Sequence, residues 1–217
     1  MRPLKVQRLA ALALLCCAWI ATAGAAERPV RIVALGDSLT AGYQLPASEA
    51  FPARLEAALR AKGVAVEVAN AGVSGDTSSS GLARLDWSVP QGTDAVILEL
   101  GANDMLRGVD PAVTRTALET IVRRLKARGI EVLLSGMLAA PNLGADFARE
   151  FNRIYPELAA AHDLILDPFF VAGVVRDPKL NLNDGLHPSA AGVAVIVNRI
   201  LPKVEALIAR VRAKQDK

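Results

Sequence analysis

The chain has 217 residues, enough for one domain with a substantial core. Its net charge of +3 comes from Arg2, Lys5 and Arg8; from residue 27 onward 22 basic residues balance 22 acidic ones. A balanced domain offers no electrostatic case for nucleic acid or for anionic membranes.

That basic start leads into an apolar run from Leu9 to Ala21 and then small residues ending at Ala26. Residues 1–26 therefore read as a secretory signal peptide, with cleavage after Ala23, Ala25 or Ala26. An uncleaved anchor is the alternative, although the apolar run is short for a membrane span. Cys16 and Cys17 fall inside this segment, and neither follows the small residue that a lipoprotein signal needs. The domain, 27–217, is thus expected to be periplasmic or secreted, without disulfides and without stable membrane insertion after cleavage.

Arg31–Leu35 predicts the first strand; it ends at Gly36, and Asp37 and Ser38 follow. Ser48–Lys62 has Phe51, Leu55, Ala58 and Leu59 at helical spacing, with Gly63 as its stop. Val64–Ala69 is the second strand, Thr77–Leu85 a possible helix, and Ala95–Leu100 the third strand. A helix opens at Pro111 and runs to Gly129, followed by a strand over Ile130–Leu134. Asp146–Ala161 predicts a helix, Leu164–Leu166 a short fifth strand, and Ser189–Ile200 a last helix that Pro202 kinks or restarts. Apolar strands separated by helices imply a parallel sheet covered on both faces. The expected fold is α/β, a single doubly wound domain with a central parallel sheet of about five strands.

In such a sheet the loops after the strands converge on one edge, where ligands bind. The polar residues concentrate in those loops: Gly36-Asp37-Ser38, Asn70 to Thr77, Gly101-Ala102-Asn103-Asp104, and Asp184-Gly185-Leu186-His187-Pro188. Ser38 reads either as a nucleophile at a strand-to-helix corner or as a helix-capping serine. His187, three residues after Asp184, could hold one ring nitrogen against that carboxylate and offer the other to a serine. Alone, the pair would also serve as a helix cap. His162, at the end of a helix, reads as structural. The Ser38 and Gly72 N–H groups and the Asn103 amide are candidate donors to an oxyanion. Asn103 is equally acceptable as a turn residue. Asp37 and Asp104 read first as turn-tying carboxylates.

These four blocks, in this order, resemble those of the SGNH (GDSL) hydrolases, and the match spans almost the whole domain. The resemblance implies a flavodoxin-like fold and a serine esterase without cofactor. It casts Ser38, Asp184 and His187 as the catalytic set, with Ser38, Gly72 and Asn103 as the oxyanion hole. Ser-Gly-Asp-Thr and Gly-Leu-Ala-Arg-Leu are similar to the exported bacterial branch of thioesterases, arylesterases and lysophospholipases. The implied partner is a small-molecule acyl ester or thioester. Leu39, Met105, Leu106, Leu138, Pro141, Asn142, Leu143 and Leu186 flank the blocks and are candidates for contact with the acyl group. Three other functions remain open: a carbohydrate acetyl-esterase, a non-catalytic acyl- or sugar-binding module, and a metal site built from Asp37, Asn103, Asp184 and His187.

Overall fold

The computed structural model describes residues 28–215, so the expected signal segment lies outside the described residues. Five strands form one parallel sheet: β1 (Val30–Gly36), β2 (Val66–Gly72), β3 (Ala95–Glu99), β4 (Glu131–Ser135) and β5 (Ile165–Asp167). Their order is β2-β1-β3-β4-β5. Every residue of β3 is buried, as is all of β1 except Arg31, because helices cover both faces. Such strands have no solvent side and hence no polar alternation.

The helices are α1 (Ser38–Ala41), α2 (Phe51–Ala61), α3 (Ser78–Ala83), α4 (Leu85–Ser88), α5 (Ala102–Leu106), α6 (Pro111–Ala127), α7 (Ala145–Asn152), α8 (Ile154–His162) and α9 (Ala190–Gln215). The right-handed crossovers expected of parallel strands put α2 on one face of the sheet and α3, α6 and α8 on the other, and α9 packs beside α2. The chain leaves β1 toward one face and β3 toward the other, which opens a crevice above their C-terminal ends. Ser38 follows β1 and Asn103 follows β3, so both stand at that crevice. Among the described residues, no helix is long and apolar enough to cross a membrane.

Proline accounts for two departures from the expected elements. The helix predicted over 48–62 is a 3-10 turn, Ala47–Glu49, followed by α2. Pro52 lacks an N–H and fits only in a first turn, so a new helix has to begin just before it. The helix predicted over 146–161 divides at Arg153 into α7 and α8 for the same reason, with Pro156 in the first turn of α8. Pro202, by contrast, ends nothing: α9 runs through it for 26 residues. Buried Ile196, Val197 and Ile200 before it and Val204, Leu207 and Ile208 after it lie on one apolar stripe. That burial outweighs the roughly 3 kcal/mol that a proline costs inside a helix.

Pro202 itself is exposed, so removing it should cost no packing. Pro202→Ala should stabilise the protein by about 1–2 kcal/mol, the helix gain exceeding the loss of chain stiffness in the unfolded state. Thermal unfolding should show a melting temperature raised by several degrees; a lower one would mean that Pro202 shapes α9 for docking.

Candidate active site

Ser38 opens α1, directly after β1, and Asp37 caps that helix by accepting the Leu39 N–H at 2.9 Å. The Ser38 hydroxyl lies 2.9 Å from Nε2 of His187. Nδ1 of the same ring lies 2.7 Å from Oδ2 of Asp184. The other oxygen of Asp184 accepts the Leu186 N–H at 2.9 Å and the His187 N–H at 3.0 Å. Those donors, first the His187 N–H and then that of Leu186, hold the Asp184 carboxyl down at about 2. An ionised carboxylate can only accept, so Nδ1 carries the proton of a neutral ring. Nε2 is then the acceptor, and the Ser38 hydroxyl donates to it. A hydroxyl, an imidazole and a carboxylate stand in one line, ready for proton transfer away from the serine.

The loop that presents His187 is tied down at both ends. Leu182 donates its N–H to the His187 carbonyl at 2.7 Å, and Ser189 donates to Leu180 at 2.8 Å. Asn181, buried, donates to the carbonyls of Val174 and Asp177 at 2.7 and 2.8 Å. His162 is elsewhere, at the end of α8 before β5, hence at the opposite edge of the sheet; its Nε2 lies 3.7 Å from Glu119.

Asn103 lies in the first turn of α5, a five-residue helix rather than an isolated turn. Its amide nitrogen donates to Oδ2 of Asp37 at 3.1 Å and to the Asp76 carbonyl at 3.0 Å. The amide therefore lies beside the turn that carries Ser38.

Gly72 does not fit the role expected of it. It ends β2, the edge strand, on which successive N–H groups point alternately toward β1 and away from it. Val73 donates inward to Gly36 at 3.0 Å, so the Gly72 N–H points outward, and Asn70 Oδ1 accepts it at 3.0 Å. The glycine is needed for a different reason: a Cβ here would lie 2.3 Å from the Ala41 nitrogen and 2.8 Å from the Asp37 carbonyl oxygen. It lets α1 sit against β2. The loop beyond it, Val73–Asp76, is closed by the Asp76 N–H on the Val73 carbonyl at 3.1 Å. Through the Asp76 carbonyl that turn, with Gly75 inside it, abuts Asn103.

The sequence model of the GDSL-like Lipase/Acylhydrolase family matches residues 34–195, which include all of these groups. The chain belongs to that family. It is 41% identical over 165 residues to an arylesterase of Vibrio mimicus, covering 76% of this chain and 82% of the relative. It is 38% identical over 178 residues to the thioesterase 1/protease 1/lysophospholipase L1 of Escherichia coli K12, covering 82% and 84%. The crystal structure of AlinE4, an SGNH-hydrolase family esterase, superposes with a TM-score of 0.71 at 44% identity, covering 84% of this chain and 98% of that one. Membership makes the protein an ester or thioester hydrolase.

Behind the GDSL serine lies an acidic interior. Glu99 is fully buried, accepts from the Thr40 hydroxyl at 2.8 Å, and has no partner for Oε1 among the described residues. Burial, and then the nearby charge of Asp37, push its carboxyl well above the usual range. Burial, helped by the nearby Asp104 charge, raises Asp37 to about 6 against the opposing pull of the Leu39 N–H, the Asn103 amide and His187. Asp104 accepts from the Ser78 N–H and hydroxyl at 2.7 and 2.5 Å and from the Thr114 hydroxyl at 3.0 Å, which ties α3, α5 and α6 together. Arg84, buried, grips Asp76 at 2.6 Å with one nitrogen and the Gly36 carbonyl at 2.9 Å with another. One guanidinium thus links the Asn103-contacting turn to the end of β1.

Leu39 and Met105, expected near the acyl group, are each 8% exposed and belong to the core, because α1 and α5 turn them inward. Leu143 is partly buried against the core, while Pro141 and Asn142 are exposed on a 3-10 turn. Leu106, Leu138 and Leu186 face solvent, as do Tyr43 and Val73, which the sequence did not single out. These five are part of a set of eight large exposed apolar residues among the described residues. Among the described residues, no group of three or more His, Cys, Asp or Glu side chains is gathered to hold a metal.

The buried Asp37 should leave a mark on stability. Between its ordinary 3.8 and about 6, the folded chain keeps a proton that the unfolded chain has lost, so stability falls as pH rises through that window. Asp37→Asn cannot ionise there. Its melting temperature relative to wild type should climb across the window and then level off. A difference that shrinks instead would mean that Asp37 gains, not loses, by ionising in place.

Proposed function

We propose that the protein is a broad-specificity hydrolase of carboxylic esters and thioesters acting through an acyl-enzyme on Ser38. The observation that carries this is the unbroken chain of hydrogen bonds from Ser38 through His187 to Asp184. As Ser38 Oγ bonds to the substrate carbonyl carbon, its proton passes to Nε2 of His187, and Asp184 stabilises the imidazolium. The tetrahedral intermediate collapses, the bond to the leaving oxygen or sulfur breaks, and His187 returns the proton to that atom. Water then attacks the acyl-enzyme by the same route, releasing the acid and restoring the serine.

The negative oxygen needs donors. The Ser38 N–H, first in α1, has no partner within its own helix. Asn103 supplies an amide N–H from across the crevice. For the loop after β2 we assign the Gly75 N–H in place of that of Gly72, because its turn abuts Asn103 whereas the Gly72 N–H is committed at the sheet's outer edge. The exposed rim of Val73, Leu106, Leu138 and Leu186 supports acyl chains rather than sugars as the group bound. Aryl esters, acyl thioesters and lysophospholipids, named in the similar proteins, are the substrate classes proposed for this chain. The basic, apolar and small-residue succession over residues 1–26 supports export to the periplasm or beyond.

A fluorophosphonate should label wild-type protein at Ser38 and fail to label Ser38→Ala. Asn103→Ala should lower kcat by about a hundredfold to a thousandfold while KM changes little. Butyryl and long-chain p-nitrophenyl esters and acyl-CoA thioesters, assayed in parallel, would rank the substrates. Wild-type protein that hydrolyses none of them and takes no label would overturn the proposal.

A further inference from the structure

His187 is held by its two ring nitrogens, one on Ser38 and one on Asp184. Both hydrogen bonds lie at the edge of the imidazole, so they resist rotation within the ring plane better than tilting out of it. Contact with the face of the ring comes from Tyr43, whose ring centroid lies 4.4 Å away with the planes inclined at 35°. We propose that Tyr43 is a positioning residue for His187: it braces the face of the imidazole and stabilises the positive charge the ring acquires on taking the serine proton. This rests on His187 being the base in the reaction proposed above.

The backbone aims Tyr43 at that place. α1 closes at Gly42, whose φ of 78° is left-handed. Both the Gly42 and the Tyr43 N–H groups donate to the Ser38 carbonyl, each at 3.2 Å. The residue that carries the hydroxyl thus also anchors the ring that covers the imidazole. A side chain at Gly42 would place its Cβ 2.6 Å from Cβ of Ala50 and 2.9 Å from its Cα, so the turn admits only glycine. Tyr43 is 39% exposed and takes no part in the core, so packing alone does not account for it.

The chemistry suits the place. An aromatic face is electron-rich and attracts a cation lying over it. The neutral imidazole gains little from that face and the imidazolium gains more, so the contact strengthens as the proton moves. Asp184 faces the same ring in its plane, and Asp37 lies within its field behind Ser38. Tyr43 adds support from the third direction.

The test compares Tyr43→Phe, Tyr43→Leu and Tyr43→Ala in the full chain, by kcat and KM on p-nitrophenyl butyrate and by the second-order rate of fluorophosphonate labelling. The labelling rate reports how readily Ser38 is activated, independently of how an acyl chain binds. Phenylalanine keeps the aromatic face and should stay within about twofold of wild type. Leucine and alanine should lose roughly threefold to thirtyfold in both kcat and labelling rate, the range a cation–aromatic contact spans. KM and melting temperature should be unchanged. A Tyr43→Leu protein that labels as fast as wild type would overturn the inference, as would one with raised KM and intact kcat, since Tyr43 would then be a wall of the substrate site. If wild-type protein itself takes no label, the serine mechanism falls and not merely the role of Tyr43.

Discussion

The hydrogen bond from Ser38 to His187 joins residues 149 positions apart in the chain. A bond of this kind contributes on the order of 1 kcal/mol, far too little to bring such distant segments together. The sheet does that instead. β1 delivers Ser38 from the middle of the sheet, and α9, packed on α2 and on β4 and β5, holds the start of the His187 loop in reach. Buried strands and a long apolar helix supply the stability; the polar line across the crevice draws on it.

Beneath that line the protein keeps an unusual amount of acid. Asp37, Glu99 and Asp104 are all buried around the short helices α1 and α5. Their contacts differ. Asp37 caps α1 and holds Asn103, Glu99 accepts from Thr40, and Asp104 joins three helices. Among the described residues only Arg84 brings a buried positive charge nearby, and it is spent on Asp76 and the end of β1. Burial raises two of these carboxyls, Asp37 and Glu99, above the ordinary carboxylate range.

The sheet was legible because its strands are buried on both faces and so read as plain apolar runs. The polar loops were legible because a doubly wound sheet gathers the ends of its strands. α1 and α5 were not: four or five residues are too few to show a helical period. Leu39 and Met105 therefore look like loop residues free to meet an acyl chain, until a single helical turn rolls them into the core. Gly72 shows a subtler limit. Its block holds two glycines, and composition does not say which backbone N–H faces the crevice. Strand parity does: Val73 pairs with β1, so Gly72 points away. Tyr43 lacked any signal of its own, because its neighbour comes from the far end of the chain.

The Asn103 amide is engaged within the protein itself. It already has two acceptors, Asp37 and the Asp76 carbonyl, so the Asn103 amide nitrogen is not left without a partner. An incoming group has to compete with acceptors that are already in place. A neutral ester carbonyl is a weak rival, whereas an alkoxide carrying a full charge is a strong one. Selectivity for the strained, fleeting species over the resting substrate is therefore written into the way the free enzyme satisfies itself, and differential binding of that kind accelerates a reaction where uniform affinity cannot.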